Sequence, residues 1–344
     1  MAISTIGTNS LSDPIAVNGY TPTASNMQPH NLIINGAMTV AQRGTSVSGV
    51  TANGYHTLDR WRLAASGATF NTSQQEFTLG QTDVPSQFKY FQRIEVTTGD
   101  NNAGVDYRIE DVTTISGETV TLSFYAKGTN PAGGNMDLHC TQNFGSGGST
   151  AVTTLIDTYV LTSSWQRFTF TFTIPSISGK TVGTSSFIQI DNRQPAADTG
   201  TAAWTLDLTG VQLEAGSTAS SFAHENYGDT LQKCQRYYWR HERLGTPNGA
   251  DAYVGVGHGN GTTEVMVYTK YPVPMRATPT YSQSHTTGVQ AYGAGQFYVS
   301  SATTSNIGKN GTMISVLGTN GTNAGCFRVY LDVNGYWYAV DAEL

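Results

Sequence analysis

Charge is scarce in this chain. Only 12% of its 344 residues are Asp, Glu, Lys or Arg, against roughly 25% in an ordinary soluble domain. The net charge is −6, and the basic residues are scattered apart from the short run WRHER. A nucleic-acid partner needs a basic face, so it is excluded as the main ligand. Cysteine is nearly missing: Cys140, Cys234 and Cys326 are far apart and form no CxxC pair. That excludes a disulfide framework and a zinc site. No apolar run approaches the ~20 residues of a membrane helix, so insertion through such a helix is not expected. The opening MAISTIGTNSLSDP lacks the basic and apolar regions of a secretory signal. Synthesis and folding in a reducing cytoplasm are the expectation.

What is abundant points to strands. There are 18 Tyr, 13 Phe and 5 Trp beside 38 Gly, with Thr, Ser and Asn filling the polar remainder. Aromatics and Thr favour strands, and Gly and Asn favour tight turns. RFTFTFTIP alternates strictly, with Phe168, Phe170, Phe172 and Ile174 on one side and Thr169, Thr171 and Thr173 on the other. TVTLSFYAKG repeats this with Val120, Leu122, Phe124 and Ala126. YFQRIEV sets Phe91, Arg93 and Glu95 against Tyr90, Gln92, Ile94 and Val96. Period two means a strand with one buried face. Turn clusters separate the strands without intervening helices. The predicted fold is therefore all-β, an antiparallel jelly roll or β-sandwich. Trp61, Trp165 and Trp204 are assigned to its core.

The expected organisation has four parts. Residues 1–30, with Pro14, Pro22 and Pro29, read as an N-terminal arm. Residues 31–222 form the sandwich. Residues 223–245 form one connecting helix, capped by Asn226 or Asp229 and ended by Gly245. Residues 246–344 form a smaller β-domain, closed by a hairpin at Asn334–Gly335. On the helix Tyr227, Leu231, Cys234 and Tyr238 make one apolar stripe. Such a stripe packs on its own domain or on copies of itself, which makes these residues candidates for an oligomer seam.

The segments NLIINGAMTVAQRGTS, YHTLDRWR, VTLSFYAKG, WQRFTFTF and WTLDLTGVQLEAGSTASSFAHENYGDTLQKCQRYY resemble a recurrent module of bacteriophage and prophage virion proteins, as in tail fibres. The resemblance runs from about Asn31 to Tyr238. VQLEAG with F-x4-Y-G-x2-L-x2-C-Q-R-Y-Y carries it most specifically. The start and the WTLDLTGVQL strand also resemble, more loosely, carbohydrate-binding jelly-roll modules. The first resemblance implies a homotrimeric structural protein of the virion. Its arm would join other tail or virion proteins, and its distal part would meet polysaccharide on the host surface. The second implies a calcium site at Asp207 and Asn35. Its usual acidic partner is absent, since Ala37, Met38 and Thr39 follow Gly36, so Asp207 reads as a hydrogen-bonded edge residue.

Glycan binding is the sharper functional expectation. Sugar rings stack on aromatics, and their hydroxyls need amides and carboxylates nearby. The C-terminal candidates are Tyr292, Tyr298, Tyr336, Trp337 and Tyr338. No catalytic residue, metal ligand or cofactor is expected. A depolymerase needs two carboxylates across a sugar-sized gap, and nothing in the spacing of Glu110, Asp111, Glu118 and Asp191 picks out a pair. GVGHGNG at 255–261 opens no helix and reads as a turn with His258 on the surface. The alternative to an attachment fibre is a head fibre, decoration or adaptor protein that binds only other virion proteins.

Overall fold

A computed structural model describes residues 31–65, 67–243, 253–293, 297–319, 325–331 and 335–344. The expected arm, Gly245 and Asn334 lie outside them. The fold is almost entirely antiparallel sheet, with strands numbered in chain order, and it divides into two compact units.

Among the described residues, the first unit comprises 31–38, 48–54 and 62–224. Its two sheets have six strands each. One runs in the order Ser46–Val50 (β1), Thr69–Glu76 (β4), Tyr90–Thr98 (β5), Trp204–Ala215 (β12), Thr119–Thr129 (β7), Gln166–Thr173 (β10). The other runs Gly54–Tyr55 (β2), Trp61–Ala64 (β3), Gly104–Glu110 (β6), Phe187–Arg193 (β11), Met136–Asn143 (β8), Val152–Tyr159 (β9). The alternation read from the sequence sets the core. Val120, Leu122, Phe124 and Ala126 are buried, and Phe124 meets Phe168 with ring centroids 5.5 Å apart. Trp61 and Trp204 are buried as expected. Trp165 is not a core residue. It is half-buried and packs against Phe77 and Phe91, because Phe91 projects with Arg93 from the outer face of β5.

VQLEAG has two jobs here. Val211 N–H donates to Gly36 O at 3.0 Å, and Asn31 Nδ2 donates to Val211 O at 3.0 Å. These bonds staple residues 31–36 to β12 beside the register shift between Thr209 and Gln212. A Cβ on Gly36 would lie 2.1 Å from Val211 O. Gly36→Ala must therefore push two backbones apart, a destabilisation of about 1–3 kcal/mol, read as a lower melting temperature. A variant that melts with the wild type would show the staple to be slack. Downstream, Gln212 and Glu214 project outward and hold the returning loop. Gln212 Oε1 accepts from Ala223 N at 2.7 Å, and Glu214 Oε2 accepts from Ser220 N at 3.0 Å.

The second unit comprises residues 39–47, 55–61 and the described residues of 225–344. The helix α1 covers only Tyr227–Gln235, capped by Asn226 Oδ1 accepting from Asp229 N. It is shorter than the sequence suggested, because from Tyr238 the chain enters a strand, Tyr238–Glu242 (β13). That strand pairs with Trp337–Asp341 (β21), which also pairs with Thr280–Gln283 (β16). A six-stranded sheet follows the order Val289–Tyr292 (β17), Cys326–Leu331 (β20), Tyr253–Gly259 (β14), Glu264–Lys270 (β15), Gly311–Thr319 (β19), Tyr298–Ile307 (β18). Two expectations fail here. GVGHGNG is largely strand β14, where Gly257 lets Met266 O come within 2.8 Å of a Cβ position. The strands before and after Asn334–Gly335 do not pair as a hairpin, since β20 and β21 belong to different sheets.

AQRG, LDRW and QRYY meet in this unit around a buried charge network. The Arg43 guanidinium lies 3.6 Å over the Tyr238 ring, and Arg60 lies 3.6 Å over Tyr237. Arg60 pairs with Glu343, while Arg43 reaches Asp341 at 3.0 Å and Glu343 at 3.5 Å. Gln42 N–H donates to Asp59 Oδ1 at 2.9 Å, and its amide donates to Tyr238 O at 2.8 Å. Burial raises the Asp59 carboxyl to about 6, against the pull of Arg43.

Candidate functional site: the outer face of the second sheet

The two outer faces of the first unit differ. On the β5–β12–β7 sheet the polar groups find partners in the fold. Arg93 grips Asp207 with two bonds of 2.8 Å. Thr121 and Thr171 share a hydrogen bond of 2.9 Å. The loop from Gly216 to His224 lies against this face, with Phe222 edge-on to Phe88 at 5.0 Å. Asp207 sits on an interior strand, not at an edge, and its oxygens are taken by Arg93.

The β6–β11–β8 sheet presents something else. Val105, Tyr107, Ile109, Ile188, Ile190, Leu138 and Cys140 fill the core side. The alternate residues therefore point away from it. Register places Asp191 of β11 directly opposite Asp106 of β6 and opposite His139 of β8. Directly opposed residues in antiparallel pairs project from the same face. Asp106, Asp191 and His139 thus form one row, with strands about 4.8 Å apart. Arg108, Gln189 and Thr141 form the next row on one side, and Arg193 and Asp137 flank it on the other.

These side chains face outward and are still shielded. Asp106 is 0% exposed, Asp191 3% and His139 8%. Part of their bonding is met within the face. Arg62 donates to Asp106 Oδ2 at 2.7 Å, Arg108 Nε to Gln189 Oε1 at 2.9 Å, and Gln189 Nε2 to Asp191 Oδ1 at 2.5 Å. The Arg108 guanidinium lies 4.4 Å over the Phe187 ring. Part is left open. Asp191 Oδ2, His139 Nδ1 and Arg193 Nε are buried and have no hydrogen-bond partner among the described residues, while Asp106 Oδ1 faces Arg108 Nε at 3.6 Å. Buried polar atoms without partners are few in native proteins, and three of them share this one face.

Burial also sets the protonation. It raises the Asp191 carboxyl to about 7, with the Asp106 charge adding to the effect. Asp106 is raised by burial too, against the pull of Arg62 and Arg108. Burial lowers His139 to about 4, helped by Arg193. At neutral pH the histidine is uncharged, and Asp191 keeps its proton to a higher pH than an ordinary carboxyl. The Cys140 thiol, on the core side, is pushed up to about 12 by burial.

The sequence candidates lie elsewhere, in the second unit. Tyr338 is a core residue, stacked on His241 at 5.3 Å. Tyr336 is half-buried against His285, and Trp337 lies under the Arg240 guanidinium at 4.8 Å. Tyr292 is 41% exposed and flat against Tyr330 at 5.0 Å. Tyr298 is on β18, and its side chain is outside the described residues. Of the seam candidates, Tyr227 is exposed, Leu231 half-buried and Cys234 buried, while Tyr238 is on β13. Asp106, His139 and Arg193 went unnoticed in the sequence. Their signal was polar residues alternating with the core residues of GVDYRIE, MDLHC and FIQIDNR.

The first unit is a two-layer β-sandwich, and sequence comparison matches part of it to a known family. Residues 66–187 match the model of a family described as a carbohydrate binding domain. The match includes Asp106, Asp137 and His139 and stops before Gln189. No curated protein matches the chain. Among solved structures, the chain is similar to the CBM22-2 xylan-binding domain of Xyn10C from Paenibacillus barcinonensis, at 12% identity over 46% of this chain and 92% of that one, TM-score 0.32. It is similar to the N-terminal cellulose-binding domain of Cellulomonas fimi β-1,4-glucanase C, at 20% identity over 51% and 99%, TM-score 0.29. A third is the enzymatically active domain of bacteriophage CBA120 tailspike protein 4, at 11% identity over 54% and 21%, TM-score 0.31. Likenesses this distant carry no argument about ligand or activity.

Proposed function

We propose that the chain is a non-catalytic glycan-binding protein and that the outer face of β6, β11 and β8 holds the sugar. One observation carries this reading: buried atoms of Asp191, His139 and Arg193 without a hydrogen-bond partner, side by side on a single sheet face. A sugar hydroxyl both donates and accepts, so one chain of hydroxyls can serve carboxylate, imidazole and guanidinium together. The carbohydrate-binding family match over residues 66–187 supports it. Arg193→Ala will weaken glycan affinity about tenfold or more, the usual worth of a hydrogen bond to a charged group. Isothermal titration with a glycan retained on an oligosaccharide array measures it. Unchanged affinity would move the site elsewhere.

The resemblance stated above supports a setting: a homotrimeric tail fibre or comparable virion appendage that attaches to polysaccharide on the host surface. Three linked copies of a weak site gain effective concentration, and avidity can exceed single-site affinity by ~10²-fold or more. Light scattering on the purified chain tests the trimer. Leu231→Asp is expected to lower the measured mass if α1 forms the seam. The exposed Tyr292 ring is a second place for sugar contact within the same reading. The head-fibre or adaptor alternative predicts a blank array.

The Asp106–Asp191 pair favours one competing reading, a glycoside hydrolase. Its geometry weighs against that. Both carboxyls are shielded, at 0% and 3% exposure, whereas a catalytic pair must flank the scissile bond directly. Release of reducing ends from a bound glycan would reverse this choice.

A further inference from the structure

We propose that Asp191 decides the charge class of glycan this face accepts: with its proton it admits acidic sugars, and once ionised it admits only uncharged ones. The inference rests on the glycan-binding reading above and names a specificity residue within it.

The argument starts from what each ligand group can do. Asp191 Oδ2 is the unpartnered atom at the centre of the row, between Asp106 and His139. A hydroxyl meets either form of it, accepting from the carboxylic O–H or donating to the carboxylate. A uronate carboxylate can only accept. It needs the Asp191 proton, and it is repelled when that proton leaves.

The surroundings tighten this choice. From β6, Asp191 faces Asp106 and Arg108. From β8 it faces His139 and Asp137, and on its own strand Gln189 and Arg193. Arg62 and Arg108 are engaged with Asp106 and Gln189. Arg193 attracts Asp137, Asp106 and Asp191 without hydrogen-bonding them, and its buried Nε has no hydrogen-bond partner among the described residues. It has a donor to spare for an incoming carboxylate, which Arg binds well. Glu110 lies four residues along β6 from Asp106, about 13 Å away. With Asp191 neutral, three guanidiniums face Asp106 and Asp137, one positive charge in excess. With Asp191 ionised the excess is gone, and the nearest new charge is negative. Burial and the Asp106 charge place this change near pH 7, while His139 stays uncharged throughout.

The test uses the full chain on an array of xylo-, cello- and mannohexaose beside hexagalacturonate and hexaguluronate, read at pH 5.5 and 8.5. Acidic spots retained at pH 5.5 are expected to fade about tenfold or more at pH 8.5, because binding then takes up a proton. Neutral spots hold. In Asp191→Asn the ratio between the two pH values becomes one for every glycan. Acidic spots that are absent at pH 5.5, or that persist at 8.5, overturn the inference while leaving neutral binding intact. A wholly blank array at both pH values sinks the glycan-binding reading and this one with it. Should Asp191→Asn not fold, the wild-type Asp191 carboxyl is titrated by carbon NMR with and without hexagalacturonate. Linkage requires its midpoint to rise in the complex, and an unmoved midpoint overturns the proposal.

Discussion

Replacing Arg60 with methionine will destabilise the second unit by about 3–5 kcal/mol, the usual result of leaving a buried charge without its partner. The Arg60 side chain is 1% exposed and Glu343 5%. The guanidinium lies flat on Tyr237 and pairs with Glu343. Methionine fills some of the space but, among the described residues, leaves the Glu343 carboxylate with only Arg43, at 3.5 Å. The double variant Arg60→Met/Glu343→Leu is expected to recover much of the loss, since an apolar pair of similar volume removes the stranded charge. Urea unfolding followed by the fluorescence of Trp239 reads both. A single variant within about 1 kcal/mol of wild type would mean that water reaches Glu343 freely.

Asp191→Asn will change the pH dependence of the first unit's stability. The Asp191 carboxyl is about 7 in the fold against an ordinary 3.8. Its contribution is fully present below pH 3.8 and is lost as pH rises to 7. His139 is about 4 in the fold against an ordinary 6.5. Its contribution is present above pH 6.5 and is lost as pH falls to 4. In the wild type these slopes oppose each other across the overlap. Asp106 and Asp137 shift in the same direction as Asp191 and remain in both proteins. Removing Asp191 therefore leaves His139 less opposed. Relative to wild type, the variant gains stability with rising pH and has its greatest advantage above pH 7. Melting curves at pH 4.5, 6 and 8 test this, and parallel curves for the two proteins would falsify the assignment.

The strands were legible because period two is a local signal. Phe168, Phe170 and Phe172 declare their face without knowledge of any neighbour. The outward row was not legible, because it depends on which strands lie side by side. Asp106 and Asp191 become neighbours only through the β6–β11 register, and sequence spacing holds no trace of that pairing. Trp165 was misassigned because its size suggested burial, while Phe91 and Phe77 hold it on the outer side of the sheet. The helix was overextended because Tyr237 and Tyr238 continue its apolar spacing. Pairing of β13 with β21 ends it, and no local residue announces a partner a hundred positions away. Asn334–Gly335 misled for the same reason, since a good turn dipeptide says nothing about which sheet each flanking strand will join.

The span of the Arg60–Glu343 contact sets an order of events during synthesis. Those partners are 283 positions apart, so the second unit cannot close before Glu343 has been translated. Until then the segments around Arg43 and Arg60 wait with Glu343 unmade. Folding that depends on such distant pairing is slow and exposed to aggregation. Yield in a cell should therefore depend on chaperone supply and growth temperature more than the modest size of each unit suggests.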